Sequence, residues 1–317
     1  MADAITNVNE LLSLLNLTHK AFDPQHLPQT DFPLRVPKGF IDRMQPGDPN
    51  DPLLRQILPT GDENRKDAGD SLDPVGDLLV MPRPGLLHKY HGRALIVATG
   101  ACAIHCRYCF RRHFPYSDAS PTKTGWQDTL AYIEQHSDLS EIILSGGDPL
   151  SLSDDRLAAV FQSLTAIPHV QRIRLHTRLP VVIPERVTPS LLKILAQSDQ
   201  TVMVLHVNHP NEIDTTVATA LQRLRDTGTT LLNQAVLLRG INNHQDILKS
   251  LSEDLFSCGV LPYYLHMLDP VQGAQHFKVS QQRAEELHTY LRNHLPGYLV
   301  PKLVREIAGE PSKTPLS

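Results

Sequence analysis

Apolar and polar positions follow a regular alternation from about residue 93 onward. Short apolar runs rich in β-branched residues are separated by longer amphipathic stretches such as "DDRLAAVFQSLTAI" and "HQDILKSLSEDLFSCG", which predict helices. The apolar runs predict six strands, at residues 93–99, 141–145, 172–177, 201–207, 230–238 and 260–267. Strands that alternate with helices of this length are typical of βαβ units around a parallel sheet. Because such crossovers are right-handed, six units predict an α/β fold, a partial (βα)6 TIM-like barrel.

The first 85 residues do not show this alternation of strand and helix patterns. Residues 7–17 have an amphipathic helical pattern, but Pro and Asp then recur, as in "AFDPQHLPQTDFPLRVPKGF". Proline has no amide donor and interrupts regular structure. The apolar content of "PLRVPKGFIDRM" and "PLLRQIL" favours a segment docked on the core over a disordered leader. We predict a helical and irregular N-terminal extension over 1–85, the barrel over 86–295 and a C-terminal segment over 296–317.

Composition narrows the class of protein. The net charge of −4 and sequence pI near 6.5 offer no basic field for nucleic acid. No apolar stretch approaches the roughly 20 residues that span a membrane, and no positive run precedes the apolar residues of "MADAITNVNELLSLLNL" as in a signal peptide. The 4 cysteines, mostly clustered, do not form a disulfide framework. These features predict a cytoplasmic protein without nucleic-acid or membrane partners.

Three of the cysteines stand in "CAIHCRYCF", directly after the first predicted strand: Cys102, Cys106 and Cys109. In barrels of this type the chemistry gathers at the C-terminal ends of the strands. A structural zinc site wants four protein ligands, which His105 or His113 could complete. Alternatively, Cys106 and Cys109 could form a redox pair, or all three thiols could be buried structural residues.

A [4Fe–4S] cluster is the fourth alternative for the triplet. Three thiolates would leave one iron without a protein ligand and free to bind a substrate. Cys258 could be a fourth ligand, but it ends a helical pattern in "DLFSCGV" and is more typical of a small core residue. The cluster interpretation therefore calls for an external ligand.

The spacing Cys-x3-Cys-x-aromatic-Cys, with Tyr108 as the aromatic residue, resembles the signature of the radical S-adenosylmethionine superfamily. The resemblance implies that S-adenosylmethionine chelates the open iron, that cluster reduction yields a 5′-deoxyadenosyl radical, and that Tyr108 packs beside the cluster. A second motif, Gly146, Gly147 and Asp148 in "SGGDPL", follows the second predicted strand. It resembles the superfamily's Gly-Gly-acidic motif, which contacts the methionine amino group of the cofactor.

The wider stretch "GLLHKYHGRALIVATGACAIHCRYCFRRHFPY", together with "GEPSKTP", resembles the lysine 2,3-aminomutases, which also use pyridoxal 5′-phosphate. The nearest branch is the one that modifies elongation factor P by (R)-β-lysylation. The resemblance implies conversion of L-lysine to β-lysine, as the R isomer, for attachment to elongation factor P by a separate lysyltransferase. It also implies an external electron donor such as flavodoxin. Free-lysine enzymes carry a glycine run where this chain has Glu310, Pro311 and Ser312, a pattern that the protein-modifying branch tolerates.

The resemblance also implies roles toward pyridoxal phosphate. Lys313 matches the family's Schiff-base lysine, which holds the aldehyde until substrate arrives. Lys89, Tyr90 and Arg93 match the positions that hold the cofactor, and cationic or hydrogen-bonding groups suit its phosphate.

Further matched positions concern the substrate and S-adenosylmethionine. Arg111 matches the arginine that binds the substrate carboxylate, and a bidentate guanidinium suits that group. Asp269 and Glu306 match the acids that bind the ε-ammonium, although free-lysine enzymes have Asp at the second position. His206 and Gln234 match residues that line the S-adenosylmethionine and pyridoxal site.

Three alternative functions stay open on the sequence. One is a free-lysine 2,3-aminomutase of catabolism, and another is a pyridoxal-independent radical enzyme acting on another amino acid or a peptide. The non-enzymatic alternative is a binding module that zinc stabilises through the cysteine triplet. Loss of Lys313 separates the pyridoxal-dependent enzymes from the pyridoxal-independent one, and metal content separates the radical enzymes from the zinc module.

Overall fold

The computed structural model of the protein describes residues 3–18, 21–22, 32–65, 68–119, 123–198 and 200–316. The N-terminal region contains short elements: β1 (Ala4–Ile5), α1 (Val8–Leu14), β2 (Val36–Pro37), α2 (Lys38–Ile41) and α3 (Pro52–Arg55). Leu11, Leu12 and Phe40 are buried in the same hydrophobic cluster as the barrel residue Leu144. The described part of this region is therefore docked on the barrel, as its apolar content predicted.

A nine-stranded sheet forms the body of the molecule. Its strands are β3 (Leu86–Tyr90), β4 (Arg93–Thr99), β5 (Glu141–Gly146), β6 (Arg172–Thr177), β7 (Thr201–Leu205), β8 (Thr230–Val236), β9 (Leu261–His266), β10 (Lys302–Arg305) and β11 (Thr314–Pro315). They lie side by side in sequence order, with β3 at one edge and β11 at the other. Strands β4 to β10 are parallel, and the two edge strands are antiparallel to their neighbours.

The predicted partial barrel is confirmed, and the six predicted strands correspond to β4 through β9. Strand β10, from the segment predicted as a separate C-terminal part, continues the parallel sheet beside β9. Among the described residues, β3 and β11 do not pair with each other, so the sheet stays open.

Helices follow most of the parallel strands. Their bounds are α4 (Tyr116–Ala119), α5 (Lys123–Gln135), α6 (Asp154–Thr165), α7 (Leu179–Val182), α8 (Pro189–Leu195), α9 (Thr215–Arg225), α10 (Gln245–Ser257) and α11 (Gln281–His294). Side-chain caps begin many of them, as where Ser153 accepts the backbone N–H of Arg156 at the start of α6. Within the described residues, no helix combines the length and apolarity that crossing a membrane requires.

Strand β6, "RIRLHT", shows how the sequence divides the two faces of the sheet. Ile173 and Leu175 are buried in the hydrophobic cluster, whereas Arg174 and His176 line a cavity inside the barrel. Successive side chains of a strand point to opposite faces, so one alternating sequence supplies both the core and the cavity lining.

Candidate active site

A cavity of about 370 Å³ opens where the parallel strands end. This volume is in the range of small-molecule sites. Every residue that the sequence singled out for metal, cofactor or substrate lines this cavity: Lys89, Tyr90, Arg93, Cys102, Cys106, Cys109, Arg111, Gly146, Gly147, Asp148, His206, Gln234, Asp269, Glu306 and Lys313. The fold thus brings together positions that are far apart in sequence.

The cysteine loop, residues 102–109, follows β4 at the C-terminal face of the sheet. Its three thiols are unpaired and partly buried. Burial raises the pKa of the Cys109 thiol to about 11 and raises the pKa of Cys102 well above its usual value. Metal ligation requires thiolates, so binding iron at this loop would release protons.

The loop does not favour the zinc alternative. His105 Nδ1 lies 2.8 Å from the Pro33 carbonyl oxygen, and His113 Nε2 lies 3.1 Å from that of Gln272. In the part of the chain that the structure describes, no three His, Cys, Asp or Glu side chains converge on a point where a single ion could bind. An iron–sulfur cluster is wider than one ion and takes its thiolates from separated positions. Three thiols from one loop are the ligand type that an iron–sulfur cluster uses, and they would leave one iron of a [4Fe–4S] cluster without a protein ligand.

Cys258 is not part of this donor set. It caps the C-terminus of α10 and packs against the barrel core. The sequence-based preference for a core role over a fourth cluster ligand agrees with this position.

Two glycines allow the turn after β5 to pack against the beginning of the cysteine loop. Gly146 has φ +117°, and a Cβ there would lie 2.5 Å from the Thr99 carbonyl oxygen. A Cβ on Gly147 would lie 2.4 Å from the carbonyl oxygen of Ala101. The Gly147 and Asp148 amides donate to these same two carbonyls, at 2.7 and 2.8 Å. Only glycine fits a backbone approach this close.

The Asp148 carboxylate is held by the protein itself. It accepts hydrogen bonds from the Thr177 hydroxyl and from the backbone amides of Leu150, Arg178 and Leu179, at 2.7 to 3.1 Å. These donors all come from inside the protein. The carboxylate therefore ties the glycine turn to the end of β6.

A row of alternating charges crosses the cavity lining. In order it is Arg111, Asp77, Lys89, Glu306 and Lys313, and we call it the charged row. The successive nitrogen–oxygen distances are 2.7, 2.8, 2.9 and 2.6 Å. Burial pushes the pKa of Glu306 upward, but Lys313 and Lys89 outweigh it and bring that pKa below its usual range. Each charge in the row is thus stabilised by its neighbours.

The Lys89 ammonium has its hydrogen bonds within the protein. It contacts Asp77, Glu306 and, at 2.8 Å, the carbonyl oxygen of Val75. An ammonium has three donors, and all three are used inside the protein. Lys89 therefore does not present a spare donor to a cofactor phosphate in this arrangement.

Arg93 remains available to a cofactor, with the Tyr90 ring beside it. The Arg93 guanidinium stacks on the Tyr90 ring, 4.6 Å from its centroid, and within the described residues it makes no hydrogen bond or ion pair. Burial, together with the Glu306 carboxylate, raises the pKa of the Tyr90 hydroxyl. A neutral phenol and a free guanidinium suit an anionic cofactor.

Arg111 is oriented before any substrate arrives. Its Nε donates to Asp77 Oδ2 at 2.7 Å and its Nη1 to Ser145 Oγ at 3.3 Å, while the guanidinium lies over the Phe110 ring. Among the described residues the Nη2 group has no hydrogen-bond partner, so its donors are available to a ligand in the cavity. Asp77 was not predicted, because it lies in an irregular Pro- and Asp-rich segment without periodicity.

The Asp269 side chain has a buried carboxyl oxygen. Its Oδ1 has no hydrogen-bond partner among the residues that the structure describes. Burial, with the nearby Glu306 carboxylate, raises its pKa to about 7. A buried carboxylate without a partner is costly, so this position favours a cationic ligand.

His206 and Gln234 lie at the ends of β7 and β8 and contact each other, with 3.1 Å between His206 Nε2 and Gln234 Nε2. Burial lowers the pKa of His206 to about 3, so its imidazole is neutral. His176 was missed by the sequence analysis. Its Nε2 is buried and without a described partner, and its ring lies 6.1 Å from that of His206.

Arg178 was also missed, although a polar side chain directly after β6 was a readable signal. Its Nη1 lies 2.8 Å from Cys106 Sγ. Its Nη2 donates to Gln56 and Glu212, at 2.7 and 2.8 Å. Hydrogen bonds to ligating sulfurs influence the properties of iron–sulfur clusters, so Arg178 belongs to the support of the cysteine loop.

Several known proteins are similar to this chain. Residues 96–251 match the model of the Radical SAM superfamily. The L-lysine 2,3-aminomutase of Escherichia coli K12 is 50% identical over 318 residues, covering 100% of this chain and 93% of the relative. The glutamate 2,3-aminomutase of Clostridioides difficile is 32% identical over 317 residues, covering 100% and 75%.

A solved structure agrees at the level of the fold. Streptococcus suis SuiB bound to precursor peptide SuiA superimposes with a TM-score of 0.50 at 16% identity, covering 66% of this chain and 47% of that chain. Enzymes of the superfamily hold a [4Fe–4S] cluster and S-adenosylmethionine, and lysine 2,3-aminomutases also use pyridoxal phosphate. The zinc-module alternative is not supported, because the chain is 50% identical over its whole length to an L-lysine 2,3-aminomutase. The chain belongs to the lysine 2,3-aminomutase family of radical S-adenosylmethionine isomerases.

Proposed function

We propose that this protein converts L-lysine to β-lysine in a pyridoxal-dependent reaction. One observation carries the proposal: Lys313, far from the cysteine loop in sequence, lines the same cavity as Cys102, Cys106 and Cys109. A single chamber thus holds a thiol set for the cluster and an amine for an aldehyde cofactor. The two groups must meet in one chamber if both cofactors act on one substrate.

Each cofactor has candidate holders among the cavity residues. When bound, the cluster with S-adenosylmethionine would supply a hydrogen-abstracting radical, and pyridoxal phosphate would supply the carbonyl that holds the migrating nitrogen. His206 and Gln234 would contact S-adenosylmethionine. Lys313 would hold the aldehyde between turnovers, and Arg93 and Tyr90 would bind the rest of that cofactor. Lys89 would act indirectly, by orienting Glu306.

The charges of the cavity favour lysine over glutamate as substrate. Arg111 would bind the α-carboxylate through its open Nη2 edge. The far end of the cavity lining has carboxylates, Glu306 and the unpartnered Asp269, which attract an ε-ammonium and repel a second carboxylate. Departure of Lys313 from Glu306 would leave one further carboxylate oxygen for the substrate.

The chamber is also suited to excluding water. Arg111, Asp148 and Asp77 have at most 8% of their surface exposed. Their charges and dipoles are held by partners within the protein, so they need not reorganise during the reaction. A radical exposed to water would be quenched, and burial protects it.

We further propose that the product is (R)-β-lysine and that a lysyltransferase attaches it to elongation factor P in the cytoplasm. The sequence Glu310, Pro311 and Ser312 before Lys313 supports this branch over the free-lysine enzymes. The test is mass spectrometry of elongation factor P from cells with and without the gene for this chain. An unchanged mass would favour a catabolic enzyme.

The central experiment is an assay of the anaerobically reconstituted protein. Protein with an intact cluster is given S-adenosylmethionine, pyridoxal phosphate, dithionite and either L-lysine or L-glutamate, and the products are separated on a chiral column. We expect (R)-β-lysine from lysine and no product from glutamate. Absence of β-lysine in the presence of an intact cluster would refute the proposal.

Lys313→Ala tests the pyridoxal step directly. We expect the variant to lose β-lysine formation and the visible absorbance of the enzyme-bound cofactor, because the other described lysine of the cavity, Lys89, is engaged by Asp77 and Glu306. The matched control is Lys302→Ala, which removes an exposed lysine from β10. A Lys313→Ala enzyme that stays active without pyridoxal phosphate would support the pyridoxal-independent alternative.

A further inference from the structure

A second concavity, of about 600 Å³, lies on the surface beside the loops that follow β8 and β9. Four cationic side chains line it: Arg65, Arg239, Lys278 and Arg283. We call these four residues the basic patch. It stands out because the chain as a whole has a net charge of −4.

Among the described residues, the patch keeps a positive balance after its ion-pair partners are counted. Arg65 pairs with Asp62 at 3.1 Å, and Arg283 pairs with Glu286 at 3.3 Å. Arg239 donates to a neutral backbone carbonyl, that of His276.

Lys278 is exposed and has no ion pair within the described residues. Its charge and that of Arg239 therefore stay uncompensated. The patch as a whole presents a cationic surface to solvent.

Aromatic contacts link the patch to the cysteine loop. His276 lines the concavity, and its ring lies 4.0 Å from that of Phe277. The Phe277 ring in turn lies 6.4 Å from the ring of Tyr108, between Cys106 and Cys109. Two ring-to-ring steps thus connect the patch to the cysteine loop.

Hydrogen bonds fix the same two segments together. Arg112 Nη1 donates to the Gly273 carbonyl oxygen at 2.9 Å, and His113 Nε2 lies 3.1 Å from the Gln272 carbonyl oxygen. The loop that carries His276 and Lys278 is therefore attached to the end of the cysteine loop. A protein bound at the patch would lie close to the cluster without entering the substrate cavity.

We propose that the basic patch is the docking surface for an acidic, low-potential electron-carrier protein that reduces the cluster. The inference rests on the proposed function, since only a radical enzyme needs this electron. In the transfer, one electron leaves the reduced flavin or iron–sulfur centre of the carrier, and the cluster passes from the 2+ to the 1+ state. No bond is made or broken, and the carrier is left oxidised by one electron.

The charge and the position of the basic patch indicate which kind of protein binds there. Opposite charges across an interface accelerate encounter and orient the partners, so a cationic surface selects an acidic protein. Proximity to the cluster selects a redox protein among acidic proteins. An entry route outside the substrate cavity also agrees with the need to keep that cavity closed to water.

The test reverses charge at the patch in Lys278→Glu/Arg283→Glu. The matched control is Lys193→Glu/Arg156→Glu, which makes the same charge change on α8 and α6. Arg283 and Arg156 hold equivalent positions, since each backbone amide donates to the serine that caps its helix. Neither variant touches a residue of the substrate cavity.

Two measurements use a bacterial flavodoxin as the probe. The first is calorimetric titration of the protein with oxidised flavodoxin at low salt. The second is the rate at which reduced flavodoxin bleaches the visible absorbance of the cluster, in the absence of lysine. Dithionite replaces flavodoxin in a parallel series.

We expect the patch variant to bind flavodoxin about tenfold more weakly and to be reduced by it about tenfold more slowly. Charges at the rim of an interface mainly affect the rate at which the partners associate. Dithionite reduction should be unchanged, and high salt should remove the difference between the variants. Equal behaviour of the patch and control variants with flavodoxin would overturn the proposal. Because neither readout uses lysine, failure of the proposed function would show separately, as dithionite-reduced enzyme that makes no β-lysine.

Discussion

The cysteine loop and the charged row are assembled in different ways. The three thiols come from one short stretch, residues 102–109, placed by the end of one strand. The charged row draws Asp77, Lys89, Arg111, Glu306 and Lys313 from separate parts of the chain and joins them by ion pairs. A local motif can be recognised by its spacing alone, whereas a row of distant charges exists only once the chain is folded.

We expect the largest effect on stability from a substitution of Arg178, which contacts the cysteine loop. Arg178→Leu would leave Glu212, which is 0% exposed, as a buried charge without its partner. Loss of one member of a buried ion pair costs about 3–5 kcal/mol. We expect a decrease of that size in the free energy of unfolding of the cluster-free protein, measured by urea denaturation.

The double variant Arg178→Leu/Glu212→Leu serves as the control for Arg178→Leu. Removing both charges should restore part of the lost stability, because no uncompensated charge remains. A double variant as unstable as the single one would show that packing, rather than charge, dominates at this position.

An intermediate effect is expected from the charged row. Asp77→Asn removes the carboxylate that orients Arg111 and Lys89. We expect kcat/KM for lysine to fall by about thirtyfold, or about 2 kcal/mol, mainly through KM, because the carboxylate-binding arginine loses its orientation. Steady-state kinetics of Asp77→Asn beside the exposed control Asp155→Asn would measure it. A fall in kcat alone would contradict a positioning role.

The smallest effect concerns the pH dependence of lysine binding. Burial and Glu306 raise the pKa of Asp269 to about 7, so its carboxyl ionises as pH rises from 6 to 8. An ε-ammonium binds the ionised form, and affinity for lysine should therefore increase about tenfold over this range. The pKa of His206, lowered to about 3 by burial, excludes that group as the cause.

Calorimetric titration of the unreduced holoenzyme with lysine would measure this dependence. Norleucine, which has a methyl group in place of the ammonium, should show no increase with pH. Asp269→Asn should likewise remove the dependence. A dependence that persists in this variant would assign the titration to another group.

The same contrast explains what could be predicted from the sequence. The strands β4 to β9 were readable because short apolar runs rich in β-branched residues alternate with helical patterns along the chain. Cys102, Cys106 and Cys109 were readable because one loop holds all three. The row could not be read, because nothing in "SLDPVGDLL" indicates that Asp77 folds against Lys89 and Arg111.

Two of the predicted site residues have partners that spacing does not reveal. Lys89 has all its donors engaged by Asp77, Glu306 and a carbonyl. Asp148 has its carboxylate engaged by the end of β6. Both residues line the expected cavity, but their hydrogen bonds give them a supporting place in it.

Strand β11 has a consequence for how molecules of this protein meet one another. An open parallel sheet has two edges, and a bare edge is a template for pairing with a strand from another molecule. Here β11 covers β10, is only 2 residues long and contains Pro315, which cannot donate a ladder hydrogen bond. The segment that brings Lys313 into the cavity therefore also protects this edge from self-association.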